Sequence, residues 1–252
     1  MTNPPNERPT VTVGGDAIGN IVVGNQNTIT TQQGPPRPNT APRRDDAARN
    51  PTYRPLLAAD IARSSGRGNA ASTAIRGALR TALQESLRQS GIEWDHCQIH
   101  DLGDGFRIAA PAHTPKTAMI HPLLQQLAHQ LHSHNRLAGE LTQIRVRVAL
   151  HAGDIAIDDT GAANGRPLEI LARMLDATPL RAALDAAPPA HPLAALLSAH
   201  FYEETVPHGY PGINAEDFHR CPFTTKEYTA DAWLYAPGSS LPARASEARQ
   251  QP

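Results

Sequence analysis

The chain has 252 residues, 40% apolar and 19% charged, with a formal net charge of -1. That balance excludes a general nucleic-acid binder or a polybasic membrane-surface protein, both of which need clustered basic charge to neutralise phosphates. Apolar runs such as 192–199 fall far short of the ~20 residues of a transmembrane helix, residues 1–12 hold no apolar signal core, and Cys97 and Cys221 are too few for a disulfide framework. A soluble, cytoplasmic protein that binds neither nucleic acid nor membrane is predicted.

Residues 1–50 are dominated by Pro, Asn, Thr, Gln and Gly. Ordering such a backbone costs more than its sparse apolar groups return on burial, so a disordered tail is predicted. Within it, residues 34–51 carry Pro35, Pro36, Pro38, Pro42 and Pro51 and read as an extended linker. Residues 11–30 differ: they combine β-branched side chains with Asn and Gln and contain no Pro. That is the composition of an in-register steric zipper, in which Asn side chains ladder and apolar ones interdigitate. The run Ile21-Val22-Val23-Gly24-Asn25-Gln26-Asn27-Thr28-Ile29 resembles the RHIM-like amyloid signalling motif, although Val22 stands where that motif usually has Gln. The resemblance implies an assembly motif at Ile21, Val23, Gly24, Asn27 and Ile29, and a partner protein carrying the same motif. The alternative is a plain tail with a β-prone patch.

From residue 54 the pattern becomes that of a folded domain, assigned to 51–237, with a polar tail at 238–252. Leu56-Leu57-Ala58-Ala59-Asp60-Ile61 reads as a short strand ending in an acid. Ile75, Leu79, Leu83 and Leu87 recur at helical spacing, and Gly91 closes that helix. Residues 97–100 and 106–110 flank Asp101-Leu102-Gly103-Asp104-Gly105, the pattern of a hairpin. Leu123, Leu124, Leu127 and Leu131 mark a second helix. Ile144, Val146, Val148 and Leu150 alternate with Arg145, Arg147, Ala149 and His151, which predicts a strand with one buried face, then a turn before 153–157. Leu168, Leu171, Ala172 and Leu175 line a third helix, and late strands fall near 218–223 and 232–235. The order β-α-β-β-α-β-β-α and further β predicts an α/β (α+β) mixed sheet with packed helices. About 185 residues suffice for one core.

Asp60 at a strand end and Asp104 at a hairpin tip are the carboxylates of interest. Two carboxylates from neighbouring strand ends suit hard cations, which prefer oxygen ligands. A pair of Mg2+ or Mn2+ ions so held activates an oxygen nucleophile and neutralises a triphosphate leaving group. The stretch after Asp60, with Ser64 and Ser65, leads into a helix whose free N–H groups suit phosphate oxygens.

Four blocks then follow in order: Leu57-Ala58-Ala59-Asp60-Ile61-x-x-Ser64; Asp101-Leu102-Gly103-Asp104-Gly105-Phe106; Ile144 through His151-Ala152-Gly153-Asp154-Ile155; and Gly165-x-x-Leu168-x-x-Leu171-Ala172-Arg173-Met174-Leu175. Over roughly residues 54–236 they resemble the catalytic domain of class III adenylate/guanylate (nucleotidyl) cyclases. With Lys226-Glu227 and Ala232-Trp233 they also resemble a divergent actinobacterial group of that family. The resemblance implies a ferredoxin-like cyclase sheet and a homodimer with composite sites. It also implies a nucleoside triphosphate substrate, two metals on Asp60 and Asp104 with the Ile61 carbonyl as accessory ligand, and Arg173 as the catalytic Arg reaching across the dimer. Lys226 falls near the family's triphosphate-contacting Lys. Departures accompany these matches: the purine-reading Lys is His100, its partner acid is Ala162, and the ribose-positioning Asn is Glu169. A negative charge at Glu169 opposes a polyanion unless a metal or Arg offsets it.

Two functions stay open at this point. One is a two-metal cyclase with altered base choice, forming a cyclic nucleotide; the other is a catalytically degenerate cyclase-fold sensor or effector recruited through residues 11–30 in a bacterial conflict or signalling pathway. His129 and His132, spaced i, i+3, have metal-ligand spacing, but Leu124, Leu127 and Leu131 hold the buried side, so a polar helix face is predicted there. Cys97, Trp94 and Trp233 are expected in packing roles.

Overall fold

The structure is a computed structural model that describes residues 50–225 and 228–238. The assembly motif at 11–30 and Lys226 lie outside the described residues. The chain forms β1 (Thr52–Ile61), α1 (Asn69–Gln89), β2 (Gln98–Asp101), β3 (Gly105–Ala109), α2 (Leu123–Leu137), β4 (Val146–Ile157), β5 (Ala163–Asn164), α3 (Arg166–Leu175), α4 (Thr178–Ala186), β6 (Leu193–Ser198), α5 (Ala199–Glu203), β7 (Phe218–Thr225) and β8 (Tyr228–Tyr235). The sheet runs β2-β3-β1-β4-β6-β8-β7, with β5 appended to β4. β4 and β6 are parallel; the other described pairs are antiparallel. This mixed sheet with packed helices is the predicted α/β class.

Helices cover both faces. Side chains alternate across a strand, so Leu57, Ala59 and Ile61 of β1 join Val146, Val148 and Leu150 of β4 on one face, against Ile75, Leu79, Leu83 and Leu87 of α1 and Leu127 and Leu131 of α2. Leu56 and Ala58 join Ala149 and Leu196 on the other face, against Leu168, Leu171 and Met174 of α3 and Leu180 and Leu184 of α4. The helical spacing of the α1 leucines thus predicts its buried stripe, and Gly91, at φ 71°, follows the helix end as expected.

Three readings need correction. The predicted turn before Gly153 is absent, because β4 continues unbroken to Ile157. The glycine has another purpose: a Cβ there would lie 2.6 Å from Pro167 Cγ, so Gly153 lets the start of α3 cross close over the strand. β4 is also buried on both faces, since it lies between β1 and β6 under helices on each side. Finally, α4 and β6 went unassigned. β6 (Leu193–Ser198) is buried at every position, so it has no period-2 pattern to detect, as befits a strand paired in parallel at the sheet's centre.

Leu196 is fully buried, whereas Leu137 is 92% exposed. Leu196→Ala is expected to lower unfolding free energy by about 2–5 kcal/mol, and Leu137→Ala to change it by less than about 0.5 kcal/mol. Urea midpoints check both.

Candidate functional site

β1 ends with Asp60 between two partners, Gly105 on β3 and Arg147 on β4. Gly105 sets how close the hairpin approaches, because a Cβ there would fall 2.1 Å from the Ala59 carbonyl oxygen. That contact draws the 101–105 turn against β1, where the Ile61 N–H donates to the Asp104 carbonyl at 3.0 Å. The turn itself is held by Asp101, whose carboxylate accepts from the Gly103 N–H (2.8 Å), from Arg76 (3.2 Å) and from Arg80 (3.3 Å). The Gly103 N–H, reinforced by Arg76 and Arg80, keeps the Asp101 carboxyl below its ordinary value.

Asp60 is 9% exposed. Arg147 donates Nε to Oδ1 at 2.8 Å and Nη2 to Oδ2 at 2.6 Å, a bidentate fork. Burial raises the Asp60 pKa, Arg147 opposes the rise, and the negative charges of Asp104 and Asp176 add to it. Asp104 is exposed and accepts from Ser64 Oγ at 3.0 Å. Asp60, Ile61, Ser64 and Asp104 therefore lie together at this end of β1, and Ser65 is exposed on the same loop.

That loop is fastened by Arg67, which donates to the carbonyls of Arg63 (2.9 Å), Gln143 (2.5 Å) and Leu141 (3.3 Å). Arg63 has φ 54°, the one non-glycine residue with positive φ among those described. Its guanidinium joins those of Arg147 and Arg181 around a cleft of about 220 Å³ that Ala62, Leu184 and Asp185 also line. Arg63 pairs with Asp185 at 2.9 Å and Arg181 with Asp176 at 2.5 Å, while Arg145 donates to the carbonyls of Leu184 and Ala187 at the end of α4. Arg147 and the α4 arginine were not singled out from sequence, although Arg147 is the residue in closest contact with Asp60.

The remaining predicted residues lie elsewhere. His100 lines a second, smaller cleft with Ala162 and Arg107. Glu169 is exposed in the first turn of α3, where an acid favours the helix N-terminus. Arg173 is half-buried, with its guanidinium 5.5 Å from the Tyr228 ring centroid, and has no hydrogen bond or ion pair to Asp60 or Asp104 within the chain. His151, from the most distinctive block, is buried and bonds Ser198 Oγ through Nδ1 at 2.8 Å. It pairs in register with Leu56, four positions along β1 from Asp60. His132 contacts the Ala190 carbonyl and His134 that of Thr142, in keeping with a polar face on α2. Trp233 stacks on Tyr202 at 4.1 Å and Trp94 meets Phe106 edge-on, as the packing roles predict.

Solved structures share this fold. An adenylate/guanylate cyclase/hydrolase from Silicibacter pomeroyi superposes with TM-score 0.52 at 18% identity, covering 75% of this chain and 99% of that one. The guanylyl cyclase Cya2 gives TM-score 0.52 at 11% identity, covering 77% and 96%. The fold is that of a nucleotidyl cyclase domain. No family model matches the sequence, and no curated protein matches it. Within this cyclase fold, the described residues contain no group of three or more His, Cys, Asp or Glu side chains able to hold a metal, and no helix long and apolar enough to cross a membrane. Asp60 and Asp104 supply two carboxylates, the number that commonly holds Mg2+ together with substrate phosphates, and both Asp60 oxygens accept from Arg147.

Two outcomes follow from this geometry. Gly105→Ala should force β1 and β3 apart and lower stability by about 1–3 kcal/mol, seen as a lower urea midpoint with faster amide exchange at 101–109. Burial, then the nearby His200, lowers the His151 pKa to about 4, against ~6.5 when unfolded. The unfolded chain then binds the extra proton, so stability is full above pH ~6.5 and falls by at most about 3 kcal/mol as pH drops towards 4. His151→Gln should flatten that part of a stability–pH curve.

Proposed function

We propose that the domain is a divergent class III nucleotidyl cyclase that acts as a homodimer and converts a nucleoside triphosphate to a cyclic nucleotide. The observation that carries this reading is the meeting of Asp60 and Asp104 beside a cleft lined by Arg63, Arg147 and Arg181. In the reaction the 3′-hydroxyl gives up its proton to solvent and its oxygen bonds to its own α-phosphorus as the α–β bridging bond breaks and pyrophosphate leaves. Asp60 and Asp104, with the Ile61 carbonyl, would hold Mg2+ or Mn2+, which when bound lowers the hydroxyl pKa and neutralises phosphate charge.

The chain's own groups then have distinct tasks. Ser64, Ser65 and the N–H groups of their loop face the phosphates, and Arg67 keeps that loop in place. Arg63, Arg147 and Arg181 cradle the departing pyrophosphate, stabilising charge that grows as the bond breaks. Arg173 would act on the α-phosphoryl group of the second subunit, which accords with its separation from Asp60 in its own chain. Lys226 is proposed as a further triphosphate contact, and His100 and Glu169 as base- and ribose-side residues. The assembly role of residues 11–30 is proposed as the means of recruitment; crowding domains there raises the local concentration for dimerisation.

A second reading, a catalytically degenerate sensor or effector of the same fold, draws on the Asp60–Arg147 fork, which already occupies both carboxylate oxygens. Incubating the full chain with ATP, GTP, CTP and UTP under Mn2+ or Mg2+ separates the two by mass spectrometry. A cyclic mononucleotide is expected, reduced about 100-fold or more in Asp60→Ala and Asp104→Ala. No product from any nucleotide with either metal leaves the effector reading. Mixing Asp60→Ala with Arg173→Ala chains in equal amounts should restore up to about a quarter of native activity, because about half of the dimers are mixed and each of these regains one of two composite sites.

A further inference from the structure

Arg173 stands between two acids and pairs with neither. Residues three and four apart are neighbours on a helix surface, and Glu169 lies four before it and Asp176 three after it. Asp176 is taken by Arg181 at 2.5 Å, while Glu169 is exposed. Among the described residues, Arg173 has no hydrogen bond or ion pair. Its guanidinium lies instead over the ring of Tyr228, 5.5 Å from the centroid. At that distance the negative face of an aromatic ring attracts a cation.

The ring is itself fixed in place. Tyr228 opens β8 opposite Thr225 of β7. Phe223, buried in the core on the α3 side of the sheet, meets the Tyr228 ring with centroids 5.8 Å apart. Tyr228 is half-buried and packs against that same cluster, which also holds Leu171 and Met174 of α3. Among the described residues its hydroxyl has no hydrogen bond, so the ring alone makes the contact.

The kind of contact decides its use. A carboxylate takes two of the five guanidinium N–H donors in a fork and cancels the positive charge. A ring face attracts the charge and leaves the N–H edge open to phosphoryl oxygens. An arginine already ordered also loses less freedom when the reacting group arrives. We infer that Tyr228 is the positioning residue for Arg173. It holds the guanidinium away from Glu169 with its donors unoccupied, ready for the α-phosphoryl group bound to the second subunit. The inference rests on the cyclase reading and adds to it the residue that presents the catalytic arginine.

Turnover kinetics and NMR on the full chain test it, with Mn2+ and the nucleotide that the wild type converts. Tyr228→Leu should lower kcat about tenfold and change KM less than about twofold, because Arg173 acts on charge that develops in the transition state. Tyr228→Phe keeps the ring and should stay within about twofold of the wild type. In Arg173→Ala chains, Tyr228→Leu should cost less than about twofold, since its route through Arg173 is gone. The Arg173 Nε–Hε signal, assigned by its loss in Arg173→Ala, should move downfield in Tyr228→Leu as the ring's shielding is removed, and hold its place in Tyr228→Phe. Tyr228→Met replaces Tyr228→Leu if the latter fails to fold. An unchanged kcat or an unmoved signal in Tyr228→Leu, an equal loss in Tyr228→Phe, or the full loss persisting in Arg173→Ala overturns this inference and leaves the cyclase reading standing. No cyclic nucleotide from the wild type overturns both.

Discussion

A carboxylate cannot be buried at the end of a central strand without a counter-charge, and the Asp60–Arg147 fork supplies it. β1 has a partner on either side, so Asp60 is desolvated by the same pairing that builds the sheet. Removing a guanidinium from such a pair leaves an unpaired buried charge, which costs several kcal/mol. The fork therefore ties strand register to site geometry: a one-residue slip of β4 would turn Arg147 to the opposite face. Gly105 does the corresponding work on the other flank, where backbone contact brings Asp104 beside the fork.

The two clefts divide the face of the sheet by charge. Near Asp60 the arginines are matched one to one by Asp60, Asp176 and Asp185, so the cleft's own charges are close to balanced. Under the proposed function, a polyanion entering it would compete for guanidiniums already held in position, and cations on the carboxylates would relieve that competition. Preorganised ion pairs of this kind lose little on exchange because the donors are fixed in place before the ligand arrives. Farther along the same strands, Arg107 faces His100 with no carboxylate in the smaller cleft.

How much of this was legible in the sequence depends on whether a residue's role is local. Asp60 and Asp104 stand out because an acid after an apolar strand, and an acid in a glycine turn, are local patterns. The leucine spacing of α1, α2 and α3 shows their buried faces for the same reason. Arg147 and Arg107 could not be separated from other strand arginines, since nothing nearby in the chain says that one meets Asp60 and the other meets no acid. β6 escaped because burial on both faces erases its period. His151 stood out as a mark of the fold, and it serves the fold through its bond to Ser198, at a distance from the acids.

Arg63 occupies a backbone conformation that a side chain makes costly by roughly 1 kcal/mol or more, and glycine would relieve it. The chain keeps an arginine there, with the strain held by the Arg67 bonds that fasten the loop from the other side. If the cleft takes phosphate as proposed, thermal stability and ligand binding pull in opposite directions at one residue. Variants selected solely for heat resistance should drift towards glycine at 63, and in doing so would strip a positive charge from the rim of the cleft.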